Sequence, residues 1–328
     1  MQRTLKAVLH AMAATGLALL MGAAQAQSYP QKPVTLIVGY VPGGGPDMIA
    51  RILAEELSKE LGQPFVVQNR PGAGGTLATA QVANMAPDGY NLLLGETGQL
   101  EIAPFLFKEL PYKVPQDFTP IGLVERGGGL VLVSNAKTSN IRNIDEFIAA
   151  ARAHPETLNY ASSGIGTIHQ ISMEAFLAGA GIKATHIPYK GSGQSSAALL
   201  AGDVPVAMTS LTGVEQHIRS GAVNLLGITS LNRSAVFPDA PSLAEVAPGY
   251  EGFVSEISLL GPAGLPAEVV KTLSEATRRV LAKPHMQPKL EGTGMTFVWT
   301  SPEDYKQHLE KNLAKFERAI KAANIQAQ

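Results

Sequence analysis

The sequence has no cysteine. Disulfides, thiolate metal sites and cysteine nucleophiles are therefore excluded. The compartment stays open on this ground, because large exported proteins can do without disulfides. An excess of one charge is lacking too. Lysine and arginine number 26, aspartate and glutamate 27, and the formal net charge is −1. No basic surface follows, so nucleic acid is not an expected partner. No low-complexity tract and no short-period repeat is present.

Signatures of covalent chemistry are missing as well. There is no G-x-S-x-G elbow, and the seven histidines are scattered, none in H-E-x-x-H or another metal-binding spacing. A hydrolase needs a nucleophile, a base and a group that orients the base. Asp47 could serve as a base, but no partner for it is legible. No catalytic residue, metal ligand or cofactor is assigned, and a hydrolase is kept only as a remote alternative.

The N-terminus is informative. Residues 1–6 carry Arg3 and Lys6, an apolar stretch follows over 7–21, and Ala24-Gln25-Ala26 fits the A-x-A cleavage rule. A signal peptide over 1–26 is predicted, with a mature chain from Gln27 in the periplasm. The competing reading is a membrane anchor. The stretch is short for a span of roughly 20 residues, and the small-residue site follows it directly. No later apolar run is long enough to cross a bilayer.

The 328 residues suggest two domains. The first section alternates strand and helix: VTLIVGY (34–40), a helix over 46–62, PFVVQN (64–69), a helix opened by PGAGG, then YNLLLGE (90–96). Ile49, Leu53, Leu57 and Leu61 repeat at i+4 on the first helix. Pro46 and Asp47 suit its start and Gly62 its stop. This β-α-β-α-β order predicts a doubly wound, mainly parallel sheet. A middle section from about Gly122 holds strands at 130–135, 158–164, 184–191 and 204–210, with helices between them. VNLLGITS (223–230) is read as returning the chain to the first domain. An amphipathic helix after Ser301 ends the sequence.

Two glycine loops draw attention. VGYVPGGGPDM (38–48) passes from a strand to a helix whose N-terminus points free N–H groups into the loop. It matches neither G-x-G-x-x-G nor G-x-x-x-x-G-K-[ST]. Phosphate loop, carboxylate loop and plain tight turn all remain open for it alone. NYASSGIGTIHQ (159–170) repeats the design in the other predicted domain, with Ser162, Ser163 and Thr167 adding hydroxyl donors. Ligands of open α/β sheets bind at the strand ends. Two such ends facing each other suit one carboxylate held by neutral donors.

The stretches YPQKPVTLIVGYVPGGGPDMIAR, LGQPFVVQNRPGAGG, APDGYNLLL, LNYASSGIGTIH, HIPYKGSGQ, AALLAGDV and GPAGLP run through nearly the whole mature chain. In that order they resemble the Bug family, the periplasmic solute-binding receptors of tripartite tricarboxylate transporters. The resemblance implies an α/β, two-lobed binding fold of type II, cluster-D-like. Lobe 1 is expected over 27–125 plus 226–300 and lobe 2 over 126–225, with a C-terminal helix, 301–328, packing across both. It implies a small organic acid as ligand: a dicarboxylate, an aromatic acid or an amino acid. The carboxylate is expected between loop 42–47 (Pro42, Gly43, Gly44, Gly45, Asp47, with Tyr40 beside them) and loop 162–169 (Ser162, Ser163, Gly164, Gly166, Thr167, His169). Main-chain amides and ordered water would hold it. Delivery to membrane permease subunits by a monomeric receptor is implied. A sensor kinase is the alternative partner, which genomic neighbours would distinguish.

Other positions are weighed beside these. Relatives carry an aspartate where Thr209 aligns and an aromatic where Glu256 aligns. In the cleft, Glu256 would repel a second carboxylate or accept a donor from the ligand's far end; as charged residues are usually exposed, the surface is the expected place. His169 suits either donation to a carboxylate or an exposed first-turn position. Lys190 could steer anions, though a solvated loop lysine explains it as well. Arg51 reads as a salt-bridge partner of low energetic value. Gln99, after the third strand, would suit recognition of a polar distal group.

Overall fold

The computed structural model describes residues 29–325 except 128, 156, 235 and 292. The expected signal segment, 1–26, lies outside the described residues. The chain opens with β1 (Val34–Val38), α1 (Gly45–Leu61), β2 (Phe65–Asn69), α2 (Thr76–Ala83) and β3 (Asn91–Glu96). The three strands pair in parallel, in the order β3–β1–β2. Alternation along β1 divides its side chains between two layers. Leu36 and Val38 pack with Ile49, Leu53 and Leu57 of α1, whereas Ile37 packs with Ala78 and Val82 of α2. Helix α1 stops at Gly62, which is left-handed and donates its N–H to the Ser58 carbonyl.

A π-helical turn (Gly98–Ile102) leads into the short α3 (Ala103–Leu106). The chain then enters β4 (Phe118–Gly127) and, almost at once, β5 (Leu130–Asn135). These two strands belong to different sheets. The second sheet is completed by α4 (Ile144–Ala153), β6 (Asn159–Ser162), α5 (Ile168–Ala180), β7 (Thr185–Pro188), α6 (Ser192–Ala201), β8 (Val206–Ser210), α7 (Leu211–Arg219) and β9 (Val223–Ile228). Its order is β7–β6–β8–β5–β9, parallel on the β6 side and antiparallel around β5. Here too β5 alternates: Leu130 and Leu132 face α4 and α5 with Phe147 and Phe176, and Val131 and Val133 face α6 and α7 with Leu199 and Val214.

The expected return of 223–230 to the first domain is corrected. β9 pairs antiparallel with β5 and is an edge strand of the second sheet. An apolar run announces a buried strand but not its partner. The chain comes back only at β10 (Ser255–Pro262), which inserts antiparallel between β3 and β4. α8 (Ala267–Leu281), β11 (Thr296–Phe297) and α9 (Pro302–Ala322) follow. The first sheet therefore reads β11–β4–β10–β3–β1–β2, and both sheets are mixed.

α9 joins the two cores. Tyr305 and Leu309 pack with Ile37 and Leu93, while Phe316 and Ile320 share a cluster with Phe176 and Phe253. The turn after β3 also crosses: Ile102 and Leu106 pack into that same second cluster. Among the described residues no helix is long and apolar enough to cross a membrane.

Candidate ligand-binding cleft

A cavity of about 670 Å³ opens where parallel strands of the two sheets end. Its first wall has Tyr40 and Val41 after β1, Ala73, Gly74 and Thr76 between β2 and α2, and Glu96 and Gly98 after β3. Ile102, Ala103, Leu106 and Phe107 extend that wall. The second wall has Ser163 and residues 165–167 between β6 and α5, Ile168 and His169 in the first turn of α5, then Gly191 and Ser192 at the start of α6. Ile325, beyond α9, also lines it. Among the described residues no lysine or arginine lines the cavity.

The second wall is a helix N-terminus set up by its own sequence. Thr167 caps α5, its side chain accepting the Gln170 N–H. As first-turn residues, Ile168 and His169 have N–H groups without an acceptor inside the helix. Gln170 Oε1 accepts the Gly166 N–H at 2.7 Å and ties the loop down. Gly166 has φ +74°, and a Cβ there would fall 2.4 Å from Leu106 Cδ1 of the other wall. Glycine suits this position on both counts, the positive φ and the close approach of Leu106.

His169 is neither an exposed histidine nor a cation. It is 8 % exposed. Its Nδ1 lies 2.6 Å from Ser163 Oγ and its Nε2 3.1 Å from Ser210 Oγ. Burial pulls its pKa down to about 4, so the ring is neutral at physiological pH. It orients the Ser163 hydroxyl at the cavity wall.

The first wall differs from expectation. Pro42, Gly43, Gly44, Gly45 and Asp47 are not among the lining residues; the turn over 73–76 is. The Gly43 N–H donates to Asp47 Oδ2 at 2.9 Å, and Asp47 also accepts from Arg51 Nε and Asn69 Nδ2, each at 2.9 Å. The Arg51 guanidinium, with the Gly43 and Asn69 donors, holds this carboxyl down at about 2 against the penalty of burial. The anion at the start of α1 is thus the chain's own. Asn69 spans the turn as well, donating to the Tyr40 carbonyl at 3.0 Å.

Gln99 packs under Gly75 of the 73–76 turn and does not line the cavity. It is wholly buried, and neither its Oε1 nor its Nε2 has a hydrogen-bond partner among the described residues. Gly75, at φ +93°, lies flat on it; a Cβ there would sit 1.8 Å from Gln99 Oε1. Ser162 is buried on His186 Nε2 at 2.6 Å and also accepts the Gly164 N–H. Gly164 lies beside the cavity, outside the lining residues. Thr209 is fully buried, 2.9 Å from Ser196 Oγ. Lys190 is exposed and off the cavity, its N–H on Gln194.

The surface reading of Glu256 is corrected: it is 3 % exposed. It stands opposite Arg126 in the β10–β4 register and accepts Arg126 Nε at 2.6 Å and Asn312 Nδ2 at 3.0 Å, with His308 Nε2 also in contact. Burial raises its pKa, yet His308 and Arg126 outweigh burial and hold it below the usual range. A charge is kept inside only when partners replace its water. Glu101, also buried, is pushed up by burial and by Glu256. Lys315 is pulled down by burial, and its Nζ donates to the Gly252 carbonyl at 3.1 Å. This charged cluster lies where β4 leaves and β10 enters the first sheet, joined there by α9.

The residues missed in the sequence are the 73–76 turn and Glu96. PGAGG is as dense a glycine cluster at a strand–helix junction as the one after β1, and Glu96 ends a strand whose centre, Leu92–Leu94, is apolar.

Two α/β lobes with their strand ends facing one cavity define a solute-binding receptor of the periplasmic type. The chain belongs to the tripartite tricarboxylate transporter receptor family, whose sequence model matches residues 49–325. It is 34% identical over 299 residues to the protein BugT of Bordetella pertussis, covering 90% of each chain. A structure of Rpa4515 from R. palustris with adipate superposes at TM-score 0.80, with 30% identity, over 92% of this chain and all of that one. The periplasmic binding protein BugD gives 0.75 at 31% identity, over 92% and 100% of the two chains. MatC from Rhodopseudomonas palustris with bound malate gives 0.74 at 29% identity, over 89% and 100%.

Proposed function

We propose that this protein is exported to the periplasm, captures a small organic acid in the cleft and hands it, chemically unchanged, to the permease subunits of a tripartite transporter. The observation that carries this is the N-terminus of α5. Its first-turn amides and the Ser163 hydroxyl border a cavity with no lysine or arginine among its described lining residues. Such a set holds a carboxylate through neutral donors and the positive end of a 13-residue helix. Neutral donors also release it readily when the walls part. The loop after β1 and the 73–76 turn supply the opposite wall. Adipate and malate in the two similar structures support the ligand class.

The test is thermal denaturation of the protein from Gln27 onward against a panel of carboxylates and neutral solutes. A ligand at a hundred times its Kd stabilises by about 2.7 kcal/mol. Stabilisation by non-acids alone would overturn the reading.

A further inference from the structure

Among the described residues Glu96 is the one Asp, Glu, Lys or Arg that lines the cavity, and His169 is neutral. Glu96 ends β3 and is partly exposed. Its Oε1 accepts Ser255 Oγ at 2.8 Å, and the Tyr40 hydroxyl and the other carboxylate oxygen lie 3.5 and 4.0 Å from where a Cβ on Gly98 would stand. Both hydroxyls are neutral, so the charge is hydrogen-bonded without being cancelled. The wall opposite offers donors suited to a carboxylate. The space between carries apolar surface: Val41, Phe107 and Ile165 are 62%, 40% and 59% exposed and all line this cavity. Large apolar side chains left bare in a cleft mark the part of a ligand that must be apolar.

A second carboxylate brought to Glu96 meets a like charge in a space that loses water as it closes. A hydroxyl fills a vacant lone pair of Glu96. An ammonium does that and also neutralises the charge. We propose that Glu96, supported by Tyr40, makes this cleft selective for a monocarboxylate whose apolar body ends in a hydrogen-bond donor, ammonium above hydroxyl, and sets it against dicarboxylates. The inference rests on the carboxylate reading above. It separates this chain's ligand from the dicarboxylates adipate and malate.

The experiment is calorimetric titration at neutral pH with matched acids on straight-chain and para-methylbenzoate skeletons, the latter substituted on the methyl carbon. Each skeleton is tried unsubstituted and with a terminal hydroxyl, ammonium or carboxylate. On any skeleton that binds, the donor-bearing form is expected to bind at least about tenfold tighter than the dicarboxylate. In Glu96→Gln the dicarboxylate should gain about tenfold and the ammonium form lose as much. Tyr40→Phe should narrow the preference in the same direction. A dicarboxylate that binds wild type as tightly as the donor forms overturns the selectivity and leaves the carboxylate reading standing. So does a preference that survives Glu96→Gln in a variant of unchanged melting temperature. A panel in which no acid binds overturns both.

Discussion

Asp47 Oδ2 accepts the N–H of Gly43 at 2.9 Å. A glycine loop that seems made for a bound anion therefore closes on a carboxylate four residues along the same chain. The loop before α1 is tied to the helix's own Asp47, and Asn69 anchors the other oxygen. The adjoining wall of the cavity is left to Tyr40, Val41 and the glycine turn over 73–76.

Replacing Asp47 with alanine strips three donors of their acceptor. A loss of about 1–3 kcal/mol in a denaturant melt at neutral pH is expected. Its folded pKa of about 2 lies below the ordinary 3.8, so its contribution is complete above 3.8 and disappears as pH falls through 2. Wild type and variant should converge over that window. A gap that stays constant would show that the charge contributes nothing.

His169 predicts acid sensitivity higher on the scale. Its pKa is lowered from 6.5 to about 4 by burial, so the unfolded chain takes up the proton first. The stability it contributes is whole above 6.5 and is lost as pH drops through 4. At pH 5 the single histidine costs roughly 2 kcal/mol. Melting curves at pH 7 and 5 should show a smaller drop for His169→Gln than for wild type. Equal drops would mean that the ring is not held neutral.

Glu256→Ala leaves Arg126, His308 and Asn312 without their shared acceptor. Only the carboxylate is buried, Arg126 and His308 being 44% and 28% exposed, so the loss of its hydrogen bonds costs about 1–3 kcal/mol. Urea unfolding should register a loss of that order. A change within about 0.5 kcal/mol, the range of an ordinary surface substitution, would show the cluster to be dispensable.

Gly75 and Gly62 separate packing from backbone strain. Both are left-handed, at φ +93° and +71°. Alanine at Gly62 meets nothing within 4 Å, whereas at Gly75 it runs into Gln99. Gly75→Ala should therefore lose about 1–3 kcal/mol more than Gly62→Ala in parallel melts. Equal losses would mean that Gln99 moves aside freely.

Legibility in the sequence follows the range of the forces. β1, α1 and β3 are visible because period and end signals are local. β4 and β10 escape detection. Pro120 and Gly122 interrupt one and Glu256 charges the other, and both become strands by pairing with each other across register shifts. The site divides in the same way. Ser163, Gly166, Thr167 and His169 come together at the cavity wall because cap, loop and helix start are contiguous.

The sequence by itself determined two α/β units, the strand–glycine–helix junctions and the family likeness, since periodicity, caps and turn residues act over a few positions. Only the tertiary structure decided which junctions face the cleft. Gly43 and Gly75 both lie in glycine loops before helices. Asp47 fills the first from within, and Gln99 lies beneath the second, so the 73–76 turn lines the cavity. Likewise Glu256 is drawn inside because α9, some fifty residues later, brings His308 and Asn312 to it. Solvation of a charge depends on what surrounds it in space, and order along the chain does not encode that.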